Sequence, residues 1–272
     1  CFSITGNNNI IRNIDVSNNG AFTGLTGISH SGSQGRVERC TATSMTTTGI
    51  AGSATSTKLI HVAADACNTG ISVGGSHLSH FTVKNSTGSS LLVGNVGIAE
   101  FGIIFGGAGI GINTTSNSSL VRNVTVYGQT GASGDGLQMN AGFADNVAIN
   151  VLCYGNAQKN FNLTTTDLLN RLINCAGGAG GVADSYAASQ SEGFVTLTAD
   201  PFTAVSTDFR LNNAAGGGAL CRGTGYVTAY PTLTSVANAQ DIGAYQPAAG
   251  VASSDTLVFT QQVTYLLVDG LD

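Results

Sequence analysis

Two successive stretches decide the fold: Leu59-Ile60-His61-Val62-Ala63-Ala64 with Gly70-Ile71-Ser72-Val73, then Leu78-Ser79-His80-Phe81-Thr82-Val83 with Leu91-Leu92-Val93. Each holds a hexad that is apolar or small at its first, fourth and sixth places, followed by a short alternating run. Working outward, the hexad recurs at Ile11/Ile14/Val16, Val37/Cys40/Ala42, Ile98/Phe101/Ile103, Val121/Val124/Val126 and Ala144/Val147/Ile149. A further copy lies near Leu169 and Leu172 with its register open. Successive offsets are 26, 22, 19, 20, 23 and 23. The second run follows at Gly27-Ile28, Gly49-Ile50, Gly109-Ile110-Gly111-Ile112, Gly136-Leu137-Gln138-Met139 and Asn160-Phe161-Asn162-Leu163.

Alternation with a period of two means strands with one buried face. Strands this short bury that face only by stacking on equivalent strands, about 4.8 Å apart, which pairs their backbones and builds a continuous interior column. Clusters such as Ser17-Asn18-Asn19-Gly20 and Asn85-Ser86-Thr87-Gly88 supply the turns between them. The prediction is an all-β, right-handed parallel β-helix of seven or eight coils over residues 1–180, very roughly 35–40 Å long. Neither a leucine-rich-repeat signature nor heptads are present. Phe2 and Ile4, followed by Gly6-Asn7-Asn8-Asn9, read as part of an earlier coil, so the natural chain is expected to extend upstream.

Composition agrees. Of 272 residues, 38 are Gly and only 9% are charged, while 42% are hydrophobic and the mean hydropathy is +0.18. That much apolar content argues for a packed core, and the Gly and Asn suit a chain that turns often and tightly. A net charge of −5 with ten Lys and Arg speaks against a broad basic surface, so neither nucleic acid nor an anionic membrane is an expected partner. No run of 18 apolar residues predicts a membrane span, and no signal peptide opens the chain. Beginning at Cys1, it reads as processed or as a fragment, with a mature lipoprotein as the alternative. The six cysteines (Cys1, Cys40, Cys67, Cys153, Cys175 and Cys221) show no zinc spacing and read mostly as reduced core residues. A disulfide among Cys153, Cys175 and Cys221 is the alternative.

Equivalent outward positions of a β-helix form ladders. The position before the second apolar place reads Asn13, Arg39, His61, His80, Glu100, Asn123 and Asn146, polar throughout. Within it His61, His80 and Glu100 make a candidate binding surface together with Arg39. Two His and a carboxylate suit a divalent metal or acid–base work. A solvated face with no further role is the other reading, and no metal or cofactor is assigned. The neighbouring ladder reads Arg12, Glu38, Ile60, Ser79, Ala99, Arg122 and Asp145, with Glu38/Arg39 and Arg122/Asp145 as surface pairs. Asp15 and Glu38, from adjacent coils, are the candidate catalytic carboxylates; Asp135 and Asp145 are a second pair. Gly106-Gly107-Ala108-Gly109-Ile110-Gly111 imitates a dinucleotide fingerprint but lacks the helix that would follow it.

Beyond Gly181 the pattern changes to Asp200-Pro201-Phe202, Asp208-Phe209-Arg210-Leu211, Gly216-Gly217-Gly218-Ala219-Leu220-Cys221 and Asp241-Ile242-Gly243-Ala244-Tyr245. This series resembles the closing segment of bacterial and phage-encoded β-helix surface proteins of the pectate-lyase-like superfamily. The resemblance implies closing coils and a cap over 181–247, with Asp208, Arg210 and Asp241 as its ion pairs and turn contacts. Residues 248–272 are a linker and β-rich tail expected to dock on another subunit or on the solenoid flank. The functional expectation is a structural or adhesive surface protein, most simply a virion component such as a tail spike, fibre or decoration. It would be a homotrimer touching other virion or cell-surface proteins and binding polysaccharide, on a virion, at a cell surface or outside the cell. The alternatives are a polysaccharide lyase or hydrolase on the same scaffold, and a bacterial glycan-binding module.

Overall fold

The structure is a computed structural model that describes residues 1–19, 23–164, 168–204, 207–225 and 241–244; the tail 248–272 and Asp167 lie outside the described residues. The chain forms a parallel β-helix with two long sheets. Sheet A stacks eight strands from Phe2–Ile4 to Phe161–Leu163 in chain order. Sheet B is folded into two arms. In the middle coils one eight-residue strand runs through both, as in Lys58–Asp65, His77–Lys84, Ile98–Phe105 and Leu120–Tyr127. Elsewhere the arms are separate strands, such as Arg36–Glu38 and Thr41–Thr43. Nine rungs result, one or two more than the hexad count foretells. The last, Ser191–Glu192 with Val195–Thr196, lacks the apolar triplet that marks the others.

The register corrects the hexads in two places. Leu78, Phe81 and Val83 pair with Ala99, Gly102 and Ile104, one residue later than the apolar pattern Ile98/Phe101/Ile103 suggests. Val121 and Val126 pair with Ala148 and Cys153, not with Ala144 and Ile149, and the next coil follows at Leu172 and Gly177. Packing explains the first shift. A Cβ on Gly102 would lie 2.0 Å from Cζ of Phe81, so the ring of one coil occupies the space that a side chain of the next would need. A large residue over a missing one fills the column at native density.

The interior holds Ile28, Ile50, Ile71, Leu91, Ile112, Leu137 and Phe161 from sheet A against Val37, Leu59, Leu78, Val121, Ala148 and Leu172 from sheet B. Cys40, Cys67, Cys153 and Cys175 are buried within it as free thiols, and Cys221 is a free, buried thiol outside it, so the disulfide alternative is not realised. Burial pushes Cys175 and Cys221 up to about 12, which leaves them protonated and inert at neutral pH. At the C-terminal end Phe194 stacks edge-on against Phe161 at 5.3 Å and meets Tyr186 at 5.1 Å, which closes the core.

Of the segment expected to cap the end, the described residues 199–204, 207–225 and 241–244 lie along the flank. There the outward positions of the second arm turn from polar (Asp65, Lys84) to aromatic (Phe105, Tyr127, Tyr154) along one register column. The hairpin Phe202–Ala204/Asp208–Leu211 covers them: Phe209 lies 5.2 Å from Phe105, Phe202 lies 5.7 Å from Tyr127, and Ile242 is buried in the same cluster as Leu152. Among the described residues no helix is long and apolar enough to cross a membrane.

Two predictions test this packing. Gly102→Ala is expected to cost about 1–3 kcal/mol through overpacking, and Phe81→Leu in the same chain to recover part of that loss, read by urea unfolding of the single and double variants. His30 sits in the N-terminal core, fully buried, with neither ring nitrogen hydrogen-bonded. His30→Leu is expected to stabilise the protein by about 1 kcal/mol by removing those unsatisfied atoms; a lower melting temperature would contradict the assignment.

Candidate functional site

The corner between the two arms of sheet B is made by one residue per coil in the left-handed region. That column is Asn13, Arg39, His61, His80, Phe101, Asn123, Asn150, Asn174 and Gly193, with φ between 47° and 63°. Asn and Gly adopt this conformation cheaply; other L-residues pay roughly 1 kcal/mol or more. The Asn members link up, Asn150 Nδ2 donating to Asn123 Oδ1 at 3.0 Å. Arg39, His61, His80 and Phe101 therefore hold costly positions in four consecutive coils.

This column corrects the predicted ladder at two rungs. Phe101 takes the place expected for Glu100, because the bend falls one residue later there, and Asn150 takes the place of Asn146. Asn146 lies buried in the turn between the sheets, where Ser119 N donates to its Oδ1 at 3.0 Å. The rings stack along the corner: His61 to His80 at 4.8 Å and His80 to Phe101 at 5.3 Å.

Glu100 stands one column away, on the outer face of the first arm, with its side chain only 3% exposed. His77 Nε2 lies 2.7 Å from one oxygen and Arg122 Nε donates to the other at 2.6 Å. Both oxygens are engaged, so a metal held by His61, His80 and Glu100 has no carboxylate left to bind it. Burial pushes the Glu100 pKa up, but the hydrogen bonds from His77 and Arg122 outweigh it and hold the carboxyl below its usual range. His80 is shifted down, first by desolvation and then by His61, with Glu100 opposing. Sequence reasoning missed His77 altogether and paired Arg122 with Asp145; neither link is visible until the register places them.

Arg36, Lys58 and His77 follow one another in a single outward column, one coil apart. Glu38 is engaged by Arg12 and Arg36, not by Arg39. Asp15 lies beyond the corner on the second arm, where it accepts the hydroxyl hydrogen bond of Thr41. The two candidate catalytic carboxylates thus face different arms and are each committed to other partners. Asp135 is buried, accepting from Lys159 N at 3.0 Å and Asn162 Nδ2 at 2.7 Å, in a different turn from exposed Asp145. In the C-terminal segment Arg210 Nε donates to Asp208 at 2.9 Å, and Asp241 accepts from Gly223 N at 2.8 Å.

No protein-family model matches the chain, and no curated protein matches it. Among solved structures, the crystal structure of pectate lyase Pel9A is similar, with a TM-score of 0.56 over 82% of this chain and 73% of that one at 11% sequence identity. At that identity the likeness concerns the fold: both are parallel β-helices.

Two outcomes are expected. Glu100→Gln removes the charged acceptor of the 2.6 Å bond from Arg122 and costs about 2–3 kcal/mol in chemical unfolding. On acidification, the unfolded chain protonates its histidine near the ordinary value of 6.5 before folded His80 does, so stability falls in the window just below that pH. A second loss follows below the ordinary glutamate value of 4.5 as folded Glu100 is protonated. His80→Asn is expected to flatten the first slope alone, read as melting temperature against pH.

Proposed function

We propose that the protein binds acidic polysaccharide along the first arm of sheet B, as a β-helix displayed on a surface. One observation carries this reading: the distribution of charge. Arg12, Arg36, Arg39, Lys58, Arg122 and Arg171 lie on this arm or its corner, six of the ten Lys and Arg in a chain of net charge −5. Among the described acids, only Glu38, Glu100 and Glu192 share it. An anionic chain lying along the solenoid axis meets the cationic side chains of Arg36 and Lys58 on neighbouring coils, about 4.8 Å apart. The stacked rings of His61, His80 and Phe101, tilted by 38° and 27° to one another, run alongside as an aromatic ridge against which a sugar can pack. Strained positions kept by bulky side chains are a recognised mark of function, and here the strain coincides with the charge. Fold likeness to a polysaccharide-cleaving enzyme is consistent with this ligand class but does not by itself assign it.

A second reading, cleavage of the bound chain, has one observation in its favour. His77 is oriented by Glu100 at 2.7 Å and keeps a third of its side chain exposed, the arrangement of an imidazole that exchanges protons with a bound molecule. The setting implied by the sequence resemblance, a virion or cell surface and a trimer, accords with glycan attachment and is checked by the native mass of the assembly.

Binding to uronate-containing glycans is expected to weaken as salt rises, and neutral glycans are expected not to bind. Lys58→Gln should weaken it about 2- to 5-fold, whereas Lys84→Gln, on the other arm and paired with Asp65 at 3.0 Å, should not. Equal binding by all three proteins would overturn the assignment. Release of unsaturated or reducing ends by the wild type, lost in His77→Gln with binding retained, would establish the second reading.

A further inference from the structure

We infer that the C-terminal segment 251–272 of this chain docks on an apolar stripe of the first arm, beside the charged region. The stripe is formed by register neighbours on the outer face: Ile98, Leu120 and Val147 in one column, Ile149 and Ile173 in the next. All five are only half-buried, and none belongs to either core cluster among the described residues. A parallel sheet with an uncovered apolar outer face is unusual, because such sheets are normally covered on both sides.

Three observations select the occupant. On the second arm this protein covers an equivalent apolar face with its own chain, through Phe202, Phe209 and Ile242. The last described residues end at the corner beside the stripe: Gly243 N donates to Asn150 O, the residue after Ile149, at 2.9 Å, and Ala244 N donates to Thr125 Oγ1 just across the corner on the second arm at 3.0 Å. Twenty-eight residues follow in the sequence; extended at about 3.3 Å each they reach far beyond the stripe's three coil steps of about 4.8 Å. Finally, the two sides match. Residues 245–272 contain the apolar runs Leu257-Val258-Phe259 and Leu266-Leu267-Val268, three acids (Asp255, Asp269, Asp272) and no Lys or Arg, whereas exposed Arg171 stands next to Val147 in the stripe's first column.

The test places a thiol on the stripe. In a Cys1→Ser background the five remaining cysteines are buried, so Leu120→Cys reports its own accessibility to a maleimide. The expected result is labelling at least tenfold slower in the full chain than in one ending at Gly250, at equal strand content by circular dichroism. Asp255→Asn with Asp269→Asn and Asp272→Asn in the full chain should also speed labelling, and this variant decides the matter if the shortened chain does not fold. Equal rates in the full and shortened chains, or in the acid-neutralised chain where that one decides, would overturn the proposal. So would protection that grows with protein concentration together with a larger sedimenting species, since a second copy would then be the occupant. No glycan enters this assay, so its failure and that of the glycan assignment are separable.

Discussion

Every structural feature described above depends on the requirement that each coil satisfy its backbone hydrogen bonds on the next. A strand three residues long has nothing to pair with inside its own turn, so N–H and C=O groups reach one rung up and one rung down. The bonds from Asn13 N to Glu38 O and from Arg39 N to Ile60 O show the pattern at the corner. Once that pairing is set, residues equal in register must stack, whatever their chemistry. The turns absorb the variable lengths, as between Leu59 and Leu78 and between Val121 and Ala148, while the strands hold their phase.

Stacking turns local choices into columns, and the columns carry the consequences. Because Phe81 fills the space beside the next coil, Gly102 is the residue that fits there. Because the corner demands a left-handed residue in every coil, Asn recurs where nothing else is needed, and Asn123, Asn150 and Asn174 are its cheap occupants. Four coils depart from this rule with Arg39, His61, His80 and Phe101. A folding criterion alone would place Asn or Gly there, so the departure is where stability and another requirement conflict.

The outer faces of sheet B complete the picture. Outward side chains on the second arm become apolar from the fifth coil onward, and the C-terminal hairpin lies over them instead of beyond the last rung. Near the end of the core, Phe194 packs on Phe161 and Tyr186. The first arm is mixed instead, with Arg36, Lys58 and His77 in one column of its early coils and Ile98, Leu120 and Val147 continuing that column in the later ones. That column thus presents two chemically different stretches, and the hydrogen-bonded group of His77, Glu100 and Arg122 marks the boundary between them.

The fold was legible in the chain because period-two alternation repeated at coil length admits few other structures, and the inward positions of the first four hexads agree with the register. Cys40 as a core residue and the succession of His61 and His80 on neighbouring coils were also within reach. Register slips at Ile98 and Ala144 were not, since Ile98, Phe101 and Ile103 are more apolar than the Ala99, Gly102 and Ile104 that actually point inward. An apolar pattern cannot distinguish an interior side chain from one stacked on a neighbouring ring outside. A slip of one residue exchanges the two faces, which is why Glu100 left the ladder and gained His77 and Arg122. The sequence by itself determined that this chain stacks strands into a column, because hydrophobic periodicity is written residue by residue. Only the tertiary structure decided which side chains meet, because the distance between two coils depends on how the turn between them folds, and composition does not encode that.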